Sequence, residues 1–191
     1  MVLKETERTA IENLRTQEKS CIEKYQKYAQ QAIDPELKNL FEQLHKKEQT
    51  HYDSLTQVLD GTVPSSDCND SDGRDYEPRA IYTAASQSED KMHDAFLATD
   101  AIGTEKLVSG EYNTNVFMFG DSDLRKLMAD IQVEEQKSNI ETVRALMKTA
   151  SKSGGTGGGA PEFIISSPSA PDFLIVIECK ADIKDHQSAK I

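Results

Sequence analysis

A single offset organises most of this chain. Adding 87 to the numbers of Glu18, Lys19, Tyr25, Asp34, Leu37, Leu40, Glu48 and Gln49 gives Glu105, Lys106, Tyr112, Asp121, Leu124, Leu127, Glu135 and Gln136, with no gap. Self-similarity at a fixed offset means that one supersecondary unit is used twice. The unit reads as a helical hairpin. Residues 4–32 carry Ile11, Leu14, Ile22, Tyr25, Tyr28 and Ala29 at helical spacing. Asp34 is a good N-cap and Pro35 a good first helical residue. Leu37, Leu40, Phe41, Leu44, His51, Leu55 and Leu59 keep the period, and Gly61 is a natural stop.

Residues 60–79, "DGTVPSSDCNDSDGRDYEPR", are turn-formers and acids, so they read as a long connection. A third helix is expected from near Ser88 to about Phe119, although Gly103 and Gly110 weaken its pattern. "GDSDLRKLMADIQVEEQ" then repeats the start of the second helix. After residue 150 the texture changes. "SKSGGTGGGAP" (151–161) reads as a Gly/Ser linker, and "EFIISS" and "DFLIVIECKA" read as two strands turned by "SPSAP". The expected division is a helical bundle at 1–150, a linker at 151–161 and a strand pair at 162–191.

Composition agrees with a mainly α chain. A hydrophobic content of 37%, aromatics at 6% and no Trp suit amphipathic helices better than a sheet-rich core. The net charge of −11 is unevenly spread: residues 137–191 hold 7 Lys/Arg and 6 Asp/Glu, leaving −12 on the rest. An acidic body of this kind lacks the basic face that phosphate backbones require, which argues against nucleic acid as a partner. Cys21, Cys68 and Cys179 share no metal-binding spacing, so reduced thiols are expected. "MVLKETERTA" has no apolar core and no run approaches the ~20 residues that span a bilayer, so neither a signal peptide nor a membrane partner is expected.

The carboxylates carry the chemistry. Glu18 lies 16 residues before Asp34 and Glu48 lies 14 after it; Glu105 and Glu135 flank Asp121 in the same way. In antiparallel hairpins such positions share a height, so two packed hairpins would bring all four acids to one level. His51 stands at i+3 from Glu48, on the same helix face. Glu-x-x-His on one helix with Glu on its neighbour is half of a carboxylate-bridged di-iron site, and carboxylate plus imidazole suits iron or manganese. The repeat calls for a second histidine at position 138, where Ser138 stands, so the second metal position reads as impaired.

"EKSCIEKYQKYAQQAIDPELKNLFEQLHKKEQTH" resembles the ferritin-like superfamily, in particular rubrerythrin-like proteins, and among them the spore coat protein F family. The resemblance covers about residues 1–136. It implies a ferritin-like four-helix bundle with a long crossover, and a cytoplasmic or spore-coat location. Self-association or other spore coat proteins would be the partners. Glu18, Glu48, His51, Glu105 and Glu135 match the family's ligand positions; "EQKS" at residues 135–138 departs from its second Glu-x-x-His.

"APEFIISSPSAPDFLIVIECKAD" resembles the PD-D/E-x-K nuclease core found in type I-like restriction-modification enzymes. That core holds Mg²⁺ between acids while a lysine positions the attacking water. Glu178 and Lys180 share a strand face by period two. A hairpin centred near residue 169 would place Glu162 across from about residue 176, within reach of Glu178. Glu162, Glu178 and Lys180 are therefore the catalytic candidates of this fragment, with Glu141 as a further acid. The chain then reads as a chimera whose second template begins near Lys137, and the fragment lacks the rest of a nuclease. The first functional expectation is a spore-coat-type structural bundle with a partial metal site. The alternatives are a di-iron redox protein of rubrerythrin type and a Mg²⁺-dependent nuclease fragment, expected inactive.

Overall fold

The computed structural model describes residues 2–66, 76–82, 88–150, 163–167 and 170–177. The chain divides into two compact units, Met1–Lys152 and Ser153–Ile191. In the first unit, α1 (Glu5–Gln31) and α2 (Pro35–Leu59) form one hairpin. A second hairpin follows, α3 (Glu89–Asn115) and α4 (Ser122–Ala150), with a 3₁₀ turn at Val116–Met118 between them. α1 packs on α2 and α3 on α4; across the two hairpins α1 meets α3 and α2 meets α4. That arrangement is the helical bundle expected from the repeat.

Local chemistry explains the element ends. The Asp34 side chain accepts from the backbone N–H of Glu36 and Leu37, and Asp121 does the same for Asp123 and Leu124. These paired caps satisfy donors that a helix start leaves open. α2 stops where Gly61 takes φ 95, a left-handed backbone that favours glycine. Ser88 caps α3 through Lys91 N.

The long connection is pinned at the first hairpin's turn. Ile81 N donates to Asp34 Oδ2, and Tyr82 OH donates to Asp94 Oδ2 at 2.9 Å. Asp94, fully buried, also accepts from the backbone N–H of Ile33 and Asp34. At the other end, Gly120 N donates to Glu7 Oε1, which ties the second turn to the start of α1. α3 therefore begins beside the turn of α1–α2, and the two hairpins lie side by side with their turns at opposite ends. Lys24 with Asp100 (2.8 Å) and Lys47 with Glu141 (3.1 Å) bridge the hairpins at α1–α3 and α2–α4. The core between them runs from Ile11, Leu14, Tyr25 and Phe41 to Leu97, Tyr112, Leu127 and Ile131.

α4 runs without a break through Lys137, where a change of template was expected, and Thr142 and Ala145 are buried in the bundle. Glu141, considered as a nuclease acid, instead pairs with Lys47 in the helical unit. In the second unit, Phe163–Ser167 and Ala170–Ile177 pair antiparallel, with a register shift at Ser166/Ser167. Ile164 stands opposite Val176, so the pairing is centred about one residue later than expected. The linker segment 151–161 lies outside the described residues.

Gly103 and Gly110 do not interrupt α3, because a Cβ at either would meet nothing within 4 Å. Each simply carries the backbone entropy of an exposed helical glycine. Gly103→Ala and Gly110→Ala should each stabilise the bundle by about 0.5–1 kcal/mol, measured by chemical denaturation; an unchanged or lowered midpoint would show that the exposed face needs the glycines.

Candidate metal centre

The sequence placed its acids by counting from the turns, and the side chains converge as that counting requires. One ligand atom each from Glu18, Glu48, His51 and Glu135 lies within 4.8 Å of all the others, and all four residues are buried. Nδ1 of His51 stands 3.0 Å from Glu135 Oε1 and 3.8 Å from both Glu18 Oε2 and Glu48 Oε2. The 3.0 Å contact is too poorly aligned to be a hydrogen bond, so Nδ1 has no donor or acceptor of its own. Glu105 is not in this tight set, and its carboxyl adjoins that of Glu135.

Three residues complete the site that the sequence reading did not assign to it. His51 Nε2 is 2.9 Å from Glu134 Oε2, so Nε2–H donates to Glu134 and Nδ1 is the nitrogen turned toward the acids, a ligand atom once it gives up its proton. Glu134 lies outside the set that spacing from the turns selects. Tyr25 OH donates to Glu105 Oε1, and Tyr112 OH donates to Glu18 Oε1. Each tyrosine stands seven residues after the glutamate of its own helix and bonds the glutamate of the other hairpin. The repeat contains both pairs, and that was the available signal; only the crossing needed three dimensions. Cys21, one turn past Glu18, is also buried, and burial with the nearby carboxylates holds its thiol protonated.

The electrostatics describe an incomplete site. Burial first, then the neighbouring carboxylates, raise Glu18, Glu48 and Glu105 above the ordinary carboxylic range; Glu135 is raised by burial and Glu18 against the opposing pull of His51. Burial pushes His51 down, but its bond to Glu134, the close carboxyls of Glu135 and Glu48 and the charge of Glu18 carry it well above the usual imidazole value. The bond from His51 is what lowers Glu134. Two like charges about 4 Å apart cost about 4 kcal/mol at an effective dielectric near 20, so four ionised acids cannot share this space alone.

The hydrogen-bond inventory gives a second measure. Seven buried atoms of Glu18, Glu48, His51, Glu105 and Glu135 have no partner. Each such atom costs about 1–3 kcal/mol, and the total rivals the whole 5–15 kcal/mol stability of a domain. Protons shared within the adjoining pairs Glu18–Glu48 and Glu105–Glu135 recover part of this. Divalent cations would recover nearly all of it, since every orphan atom is a ligand type for iron or manganese. The residues therefore fit a carboxylate-bridged metal centre.

Glu162, Glu178 and Lys180, the nuclease-like candidates, lie outside the described residues. Among the described residues no helix is long and apolar enough to cross a membrane. Residues 2–59 match the family model described as Rubrerythrin, which covers α1 and α2 with Glu18, Glu48 and His51. No curated protein and no solved structure matches the chain.

Two outcomes follow from this geometry. The four core acids and His51 all have folded values raised above their unfolded ones. Their stabilising contribution is fully present below about pH 4.3 and is lost as pH rises through the raised values. The lowered acids Glu7, Asp100 and Glu134 act in the opposite sense, at the acid end of the range. Metal-free protein should therefore lose thermal stability as pH rises above about 4.3 and through the raised values of these groups, and Glu105→Gln should flatten that slope. A melting temperature that climbs over this range in both proteins would refute the charging of the buried acids. Glu134→Ala should weaken metal affinity roughly 10–100-fold through release of the His51 ring, as read by competition with a chromophoric chelator; an unaltered affinity would mean that Glu134 does not hold the ring.

Proposed function

We propose that the helical unit is an iron-binding redox protein of rubrerythrin type, built on a ferritin-like bundle with a carboxylate-bridged metal centre. One observation carries this reading: a buried set of Glu18, Glu48, His51, Glu105 and Glu135 in which seven side-chain ligand atoms have no partner. The Rubrerythrin match over residues 2–59 supports it independently, because it spans the Glu-x-x-His helix and its neighbour. The coat-type structural role, the first expectation from sequence, draws no support from the buried site, which favours the redox alternative.

The division of labour among residues follows from their positions. Glu18, Glu48 and Glu135 with His51 Nδ1 would hold the first cation; Glu105, with Glu48 or Glu135 shared between positions, would hold the second. Iron at such a centre supplies one-electron chemistry toward dioxygen or peroxide. Glu134 takes the Nε2 hydrogen bond and fixes the imidazole. Tyr25 and Tyr112 orient Glu105 and Glu18, and burial with the adjacent carboxylates keeps their phenolic protons in place well beyond the ordinary range. The surrounding core of Leu14, Leu44, Ala101 and Met128 excludes bulk water and restricts access to small reactants.

Purified full chain should contain iron at one equivalent or more and should accelerate ferrous oxidation in air. Glu48→Ala should lose both the metal and the activity. A wild-type protein that takes up no iron from ferrous solution, yet is folded by circular dichroism, would reject this function.

A further inference from the structure

The repeat is broken at one functional position. Ser138 stands where the offset from His51 calls for imidazole, at i+3 from Glu135 and on the same helix face. It is buried at 1% exposure, and its Oγ has no hydrogen-bond partner. That is unusual within this molecule. Helical hydroxyls elsewhere bond back to the carbonyl four residues earlier: Thr9, Thr16, Ser20, Thr50, Ser54 and Thr142 all do so. Thr142 even uses the Ser138 carbonyl, while the Ser138 hydroxyl leaves its own such acceptor unused.

The two sides of the cluster differ in donor chemistry. His51 Nδ1 is the single nitrogen among the unpartnered atoms, and it lies with Glu18, Glu48 and Glu135 inside 4.8 Å. Glu105 falls outside that tight set. By the offset, Ser138 stands to Glu135 and Glu105 as His51 stands to Glu48 and Glu18, and the unpartnered atoms of that trio, Glu105 Oε2, the two Glu135 oxygens and the Ser138 hydroxyl, are all oxygen. Imidazole favours iron, cobalt and zinc, whereas oxygen-only sets favour magnesium, calcium and manganese.

We propose that the two cation positions are unequal in kind: the His51 position takes a transition ion, and the Glu105–Ser138 position takes a hard, oxygen-preferring divalent cation. This rests on the two-cation reading above and specifies its second half. The consequence is a mixed-cation centre in which the two positions exchange their ions independently.

Manganese and cobalt as probes separate the two positions. Metal-free full chain is loaded with excess Mn²⁺, desalted and titrated with Co²⁺ while released Mn²⁺ is followed by electron paramagnetic resonance. Two Mn²⁺ should bind. One should leave at a Co²⁺ concentration lower by roughly tenfold to a hundredfold than the other, the scale on which ligand-sphere changes alter affinity. Ser138→His should make both leave over one range. Glu105→Gln, close to isosteric, should bind a single Mn²⁺ and lose the late phase, which keeps the test decisive if the bulkier variant fails to fold. Two ions leaving together from the wild type would overturn the proposal, as would a wild type that binds one ion or a folded Ser138→His that stays biphasic. A wild type that binds no metal at all would instead remove the two-cation reading on which the proposal stands.

Discussion

Burying four carboxylates around one imidazole in the middle of a small bundle is the constraint to which the rest of the molecule answers. In an acidic chain most acids sit harmlessly in water. Glu18, Glu48, Glu105 and Glu135 do not, since each is at most 1% exposed. Unpaired charges at that depth are among the most destabilising features a core can hold. No lysine or arginine forms an ion pair with these four among the described residues: Lys24 is committed to Asp100 and Lys47 to Glu141, nearer the bundle's edges. The balancing charge has to be protons or metal. Protons serve in acid. At neutral pH divalent cations are the better partner, and this makes folding and metal loading one coupled equilibrium.

The same constraint explains the construction of the bundle. Neither hairpin contains a complete site; each supplies two acids at mid-height, and the bundle must hold them at one level. The turns do this from the ends, with Asp34 and Asp121 fixing where α2 and α4 begin. The crossover locks onto the first turn through Ile81 and Tyr82, and Glu7 holds the second turn through Gly120. Tyr25 and Tyr112 then cross between hairpins inside the core, each holding the opposite glutamate. Sliding one hairpin along the other would break both phenol–carboxylate bonds and the cluster together. The register of the bundle is thus set by polar contacts in its interior, while the leucines around them tolerate small displacements.

How much of this was legible in the chain depends on whether the cause was local. Caps, stops and heights follow from residue type and counting, so Asp34, Gly61, Asp121 and the four acids were readable. Helix α3 was less so, because Gly103 and Gly110 lower intrinsic propensity; packing of Leu97, Ala101, Val108 and Tyr112 overrides them. Glu134 was not legible, for a physical reason. It neighbours the ligand Glu135 in sequence, so it sits about 100° round the helix, and spacing alone makes it a solvent-facing acid. Only the placement of α4 beside α2 brings it to Nε2 of His51. A change of template near Lys137 leaves no mark on the helix: α4 continues through it to Ala150, as a bundle over residues 1–150 requires.

The broken symmetry at Ser138 bears on whether the second position is vestigial. If it held nothing, Glu105 would have no cation to answer its charge, and its Oε2 would be a buried acceptor without a donor. The cheapest relief in such a case is local: a side chain rotated toward solvent, or an amine recruited from a neighbouring turn. Neither is present. Tyr25 instead donates to Glu105 Oε1 and holds the carboxyl in the core, where Glu135 adjoins it. A bond that keeps an acid buried requires that the acid be neutralised there, by a proton or by a bound cation. On the two-cation reading, the serine would change which cation the position prefers, and the pairing of Tyr25 with Glu105 would keep the carboxyl in place to receive it.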